Sequence, residues 1–156
     1  MAVAGLSTIG VQLGYAVETT AGTRPTTGYK ELTRINSIGG VTVDLEQIDA
    51  SALIDKTTKN IAGRGSVGDW SVTVNVTNDT IAEWQGVKDA ADEGKTADKG
   101  LWFEIIHPQI TDGYFVKAEL PDVLPWSDTS QNELLTMEIS LTVAEVEGYA
   151  TKVSFQ

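Results

Sequence analysis

The chain has 156 residues, enough for one domain with a substantial core, and no cysteine, so neither a disulfide nor a thiolate metal site is available to it. Its 22 acidic against 11 basic residues give a formal charge of −11; such a surface repels phosphate backbones and argues against sequence-reading or high-affinity DNA binding. The first 22 residues lack a basic start and are broken by Gly5, Gly10 and Gly14, so neither a signal peptide nor a membrane span is expected, and the chain reads as cytosolic when made.

In chain order, residues 1–12 form a Gly-punctuated arm, Val11 to Glu18 reads as a strand and Thr19 to Gly28 as a loop. Leu32 to Ile38 and Val41 to Glu46 are extended runs around Gly39-Gly40, a pair that can supply the positive φ angles of a hairpin turn. In the second run Val41, Val43 and Leu45 alternate with Thr42, Asp44 and Glu46. Residues 48–68 show no strand or helix pattern and are expected to form a long loop, with Leu53, Ile54 and Ile61 interleaved with Asp49, Asp55, Lys56, Lys59 and Arg64. Ordering such a loop costs roughly 1–2 kcal/mol per residue in backbone entropy. A partner surface is the expected compensation; the bland alternative is a flexible surface loop with incidental apolar residues.

The next run alternates Trp70, Val72, Val74 and Val76 with Ser71, Thr73, Asn75 and Thr77, the period of a half-buried antiparallel strand. Thr80-Ile81-Ala82-Glu83 fits a capping box and opens a helix whose apolar stripe is Ile81, Trp84, Val87 and Ala91. Leu101 to His107 is a strand stopped by Pro108. Tyr114 to Leu120 sets Tyr114, Val116, Ala118 and Leu120 against Phe115, Lys117 and Glu119, and Pro121 and Pro125 mark an edge or bend beyond it. In the last long strand Leu135, Met137, Ile139, Leu141 and Val143 oppose Thr136, Glu138, Ser140 and Thr142. One helix among many strands makes an α+β domain that is mainly β.

Catalytic constellations fail one by one. Gly63-Arg64-Gly65-Ser66-Val67-Gly68 matches the dinucleotide pattern but leads into a strand, not into the helix whose N-terminus would hold a pyrophosphate, so the glycines are read as loop flexibility. His107 is the sole histidine, and its place before Pro108 at a strand end suits a structural role. Asp44 with Glu46, or Asp122 with Asp128, could be imagined as paired glycosidase carboxylates, but carboxylates two apart on a strand form its solvated face. No enzyme, cofactor or metal site is expected, which leaves a structural or interaction protein.

A Gly-rich N-terminal arm with Leu13-Gly14-Tyr15-Ala16-Val17-Glu18 is followed by a hairpin. The run Ile48-Asp49-Ala50-Ser51-Ala52-Leu53 then opens a long loop that ends in Gly63 to Gly68. The Trp70 strand, one helix, two more strands and a long final strand complete the chain. This layout resembles the tail tube protein (major tail protein) of long-tailed bacteriophages. The resemblance implies two packed antiparallel sheets, sandwich- or barrel-like, with one flanking helix and a long stacking loop at residues 48–68. It further implies six subunits closing into a ring and rings stacking into a hollow tube for DNA ejection. The partners implied are other copies of the chain, tail terminator, tape measure and baseplate proteins, and DNA as a transient, non-specific passenger, with no membrane. The location implied is the virion tail, after assembly in the host cytoplasm.

On this resemblance Asp49, Leu53, Ile54, Asp55, Lys56, Lys59, Ile61 and Arg64 would contact the adjacent ring. The lumen would be lined by Thr42, Asp44 and Glu46; Ser71, Thr73 and Asn75; Lys117 and Glu119; Glu138, Ser140 and Thr142. The arm at 1–12 and the tail from Tyr149 to Gln156 are candidates for crossing to neighbours. A competing reading is a β-sandwich module that binds carbohydrate or decorates a virion surface, with Trp102, Trp126 and Tyr114 as an exposed aromatic platform.

Overall fold

A computed structural model describes residues 4–156; residues 1–3 of the expected arm lie outside the described residues. The elements are β1 (Gln12–Val17), β2 (Lys30–Leu32), β3 (Ile35–Ile38), β4 (Val43–Asp49), β5 (Asn60–Val67), β6 (Trp70–Asn75), α1 (Asn78–Lys95), β7 (Leu101–Ile106), β8 (Asp112–Glu119) and β9 (Thr136–Thr151). The fold is mainly β with one helix. Seven strands form an antiparallel sheet in the order β2-β1-β7-β8-β9-β6-β3, and β4 and β5 form a separate two-stranded sheet.

The large sheet is rolled. β2 and β3 lie at its opposite edges, about 29 Å apart if seven strands were laid flat at ~4.8 Å spacing. Only Thr33 and Arg34 join them, a link that reaches no more than about 11 Å. The edges must therefore meet, and Arg34, in the left-handed region at φ 55°, turns the chain across the seam. β9 makes the roll possible: Thr136 to Leu141 pair with β6, and Thr142 to Thr151 pair with β8, so one long strand serves both halves. Trp70 on β6 and Phe103 on β7 consequently meet edge to face with ring centroids 5.5 Å apart.

Inside the roll, Leu13, Trp70, Val72, Val74, Phe103, Val116, Met137, Ile139 and Leu141 pack with Trp84, Val87 and Ala91 of α1. Trp84 stacks on Phe103. The period-two faces of β6 and β9 are thus the expected ones. β7 departs from alternation because its outer face is buried too. There Ala16, Tyr29, Trp102 and Phe115 pack together under Val153 and Phe155 of the tail, and the Arg24 guanidinium lies over the Phe115 ring.

Several expectations are corrected. Gly39-Gly40 is no hairpin turn: Gly39 lies flat on β6, donating its N–H to the Ser71 carbonyl at 2.7 Å and accepting from the Trp70 indole at 2.8 Å. A Cβ there would sit 2.8 Å from the Ser71 carbonyl, so the glycine serves close approach. The capping box is one turn earlier: Thr77 is the N-cap and exchanges hydrogen bonds with Thr80, and the helix runs 18 residues to Lys95. Glu83 instead accepts from Thr33 N–H and Oγ1, at 3.1 and 2.8 Å, pinning α1 to the β2–β3 seam. Ile81, expected in the buried stripe, is 40 % exposed.

Candidate functional site

Residues 48–68 are not structureless. Most of them belong to a hairpin in which β4 pairs with β5 from Val43↔Val67 to Asp49↔Asn60, with one bulge opposite Glu46. The pattern was hidden because β5 carries Gly63 and Gly65 where a strand normally shows side chains. A Cβ at Gly63 would meet Ile48 at 3.1 Å and one at Gly65 would meet Val43 at 3.0 Å. The glycines therefore make room for β4 side chains to lie across the ribbon, and their role is not flexibility.

The tip is built by its own polar groups. Ala50 N–H donates to the Lys59 carbonyl at 2.8 Å, and Lys59 N–H donates to Ser51 Oγ at 2.8 Å. Asp49 accepts from Ser51 N–H, and the Ser51 hydroxyl and N–H hold its carboxyl below the usual range. Asp55 accepts from Ala52 N–H and returns its own N–H to the Ala52 carbonyl, closing a turn with Leu53 and Ile54 at its centre. Asp49 and Asp55 thus shape the tip, while Leu53 and Ile54 are driven outward, 107 % and 90 % exposed.

Val43, Leu45, Ile48 and Ile61 are also exposed along the ribbon. Among the described residues β4 and β5 pack extensively only on each other. Lys56, Lys59 and Arg64 are exposed and form no ion pair among the described residues. Six large apolar side chains are thus left exposed on an arm with no core of its own.

The expected lumen set divides in three. Ser71, Thr73 and Asn75 stand opposite Ser140, Glu138 and Thr136 across β6 and β9, and Thr142 stands opposite Glu119, so these residues share the outer, wet face of the rolled sheet. Thr42, Asp44 and Glu46 do not join them, because they belong to the hairpin side of the molecule. Lys117 is withdrawn as well: its Nζ lies 3.7 Å from the buried Glu18 carboxylate. The aromatic platform also fails to form, since Trp102 is 2 % exposed and Tyr114 packs edge to face on Tyr149.

Glu18 and Glu104 escaped the sequence reading. Glu18 accepts from Gly100 N–H at 2.6 Å, the Trp102 indole at 3.0 Å and Gly22 N–H at 3.2 Å. Burial by itself would raise its pKa, but these hydrogen bonds and the Lys117 charge outweigh burial and hold the carboxyl below its usual range. Nothing local could reveal this, because two of its partners lie 82 and 84 residues further on. Glu104 is fully buried, and burial pushes its carboxyl up despite the Val153 N–H at 2.8 Å. A charge inside the apolar run Leu101 to Ile106 was its visible signal.

His107 is structural: Gln109 N–H donates to Nδ1 at 3.1 Å, so the ring proton sits on Nε2 and donates to the Ser7 carbonyl at 2.7 Å. Among the described residues no cluster of His, Asp or Glu has metal-binding geometry, and no helix is long and apolar enough to cross a membrane.

No protein-family model and no curated protein matches the sequence. Solved structures do. A chain from the tail of an empty GTA particle, helically refined with C6 symmetry, superposes with TM-score 0.58 at 10 % identity, over 95 % of this chain and 99 % of that one. The chain shares the fold of a tail component. A chain of the six-fold symmetrised anti-feeding prophage (AFP) baseplate has the same fold, with TM-score 0.52 at 10 % identity over 95 % and 97 % of the two chains. Both matches extend over almost the whole of each chain.

Proposed function

We propose that this chain is a structural subunit of a phage-like tail, which joins copies of itself into six-membered rings that stack as a hollow tube for DNA passage. The observation that carries this reading is the β4–β5 hairpin, whose Val43, Leu45, Ile48, Leu53, Ile54 and Ile61 are exposed on an arm that its own body does not cover. Burying the fully exposed Leu53 and Ile54 would stabilise by about 1.5–3 kcal/mol each, and the half-buried others by less, a gain available only from another molecule. The six-fold symmetry of the two assemblies that share the fold supports the ring number.

In this reading Leu53 and Ile54 are the inter-ring anchors, with Lys56, Lys59 and Arg64 pairing to acidic neighbours. The wet face of Ser71, Thr73, Asn75, Glu119, Glu138, Ser140 and Thr142 lines the bore. It is short, hydroxylic and acidic, so a duplex meets repulsion and few donors to hold it. The role is structural, not catalytic; terminator, tape measure and baseplate proteins complete the tail. Negative-stain microscopy of the concentrated pure protein is expected to show rings or tubes. Monodisperse compact particles under every condition overturn the proposal.

A further inference from the structure

After β9 the chain continues from Lys152 to Gln156 as a strap across the outer face of β7. Beneath it lie Ala16, Tyr29, Trp102 and Phe115, an apolar cluster separate from the main core. Lys152 Nζ donates to the His107 carbonyl, Val153 N–H to Glu104 Oε2 and Gln156 N–H to the Tyr29 carbonyl, each at 2.8 Å. Phe155 fills the space that a side chain at position 14 would need and Gly14 leaves free. Val153 and Phe155 are only partly buried, so little apolar surface holds the strap down, and it can open while the roll stays folded.

The strap covers a group that water would favour. Glu104 is fully buried, and Gly113 makes the room for its carboxyl, since a Cβ there would sit 2.5 Å from Oε2. Its other oxygen, Oε1, is buried with no hydrogen-bond partner among the described residues. The surrounding charges are engaged elsewhere. Arg24, from the loop before β2, lies over the ring of Phe115, the β8 residue in register with Glu104, but its Nε is paired with Glu147 of β9. Lys152 of the strap turns to the His107 carbonyl at the end of β7, and Lys117 of β8 turns to Glu18. On the β1–β2 side, Gly14 is in register with Glu104, Glu31 accepts from Gln12, and the Tyr29 hydroxyl donates to the Pro25 carbonyl. Ionised Glu104 under a closed strap is therefore a carboxylate in a dry site with one donor, and a charge so placed costs far more than a neutral acid. Lifting the strap lets water reach both oxygens.

We propose that residues 152–156 are a proton-operated strap: protonated Glu104 keeps it closed over Tyr29, Trp102 and Phe115, and ionised Glu104 releases it. Burial holds the Glu104 carboxyl above its usual range, so the closed strap has its full stability below the ordinary carboxylate value and loses it as pH rises through the raised one. Glu18 stays ionised over that window, because its hydrogen bonds hold it below the usual range. The device lies within one subunit and works without self-assembly.

The chain has three phenylalanines: Phe103 in the inner core, Phe115 beneath the strap and Phe155 on it. The full-length protein labelled with 4-fluorophenylalanine is titrated in dilute solution from about pH 5 to about pH 8.5 and followed by fluorine NMR. The Phe155 resonance is expected to move toward that of a free phenylalanine as pH rises. The ratio of closed to open strap should fall at least about threefold, with Phe115 shifting in step and Phe103 unmoved. Glu104→Gln, uncharged at every pH, is expected to keep Phe155 in its closed position throughout, and Val153→Pro, which removes the anchoring N–H, to leave it open throughout. The wild-type titration and Val153→Pro carry the test even where Glu104→Gln does not fold. A wild-type Phe155 resonance that ignores pH overturns the switch. So does a pH dependence that survives in Glu104→Gln, which would belong to another group such as His107, and so does movement of Phe103 together with Phe155, which would make the response one of the whole domain.

Discussion

Leu53→Asp separates assembly from folding. Leu53 is 107 % exposed at the centre of a turn, and its side chain contributes nothing to the core of its own subunit, so the substitution is expected to change folding stability by no more than about 0.5 kcal/mol. Seated against a neighbour, the same side chain stabilises the contact by about 1.5–3 kcal/mol, and a carboxylate in its place adds a desolvation cost. At about 1.4 kcal/mol per tenfold, the concentration required for polymerisation should rise roughly 10- to 150-fold or more. Urea unfolding followed by the fluorescence of the four tryptophans gives the first quantity, and a sedimentation-velocity dilution series gives the second. An unchanged assembly threshold refutes the reasoning, and so does a loss of folding stability above about 1 kcal/mol.

Glu18→Ala should leave Gly100 N–H, the Trp102 indole and Lys117 without their shared acceptor in a dry site, lowering folding stability by about 3–5 kcal/mol in denaturant melts. Because the Glu18 pKa is depressed by folding, its contribution is in place above the ordinary Glu value near 4.3 and is lost as pH falls through the folded-state value. Glu104 is raised, so its contribution runs the other way, full below the ordinary value and lost as pH rises through the folded one. A melting series over acid pH should therefore show a flatter acid limb for Glu18→Gln than for the wild type; identical limbs would sink that assignment. Gly14→Ala places a Cβ into the Phe155 ring, so the tail at 152–156 should lift at a cost of about 1–3 kcal/mol and become sensitive to carboxypeptidase, with the inner core intact.

Much of this fold was legible locally. The alternation of Trp70, Val72 and Val74, and of Met137, Ile139 and Leu141, marks the inward faces because neighbouring residues on a strand point to opposite sides whatever they pair with. The apolar residues of the tip were visible too, since Leu53 and Ile54 break the polar habit of a loop. The hairpin that carries them was not, because Gly63 and Gly65 read as loop chemistry until β4 side chains are seen lying over them.

By itself the sequence determined a mainly β, acidic, cysteine-free domain with one amphipathic helix, inward faces for its best strands and apolar residues at Leu53, Ile54 and Ile61 in the segment 48–68. The tertiary structure alone decided that β2 and β3 meet across Thr33-Arg34 to roll the sheet, that both faces of β7 are buried and that Lys117 belongs to Glu18 and not to a wet wall. Periodicity is a property of residues close in sequence. Seams, buried ion pairs and second faces are made by residues brought together from 82 or more positions apart, and only packing selects them.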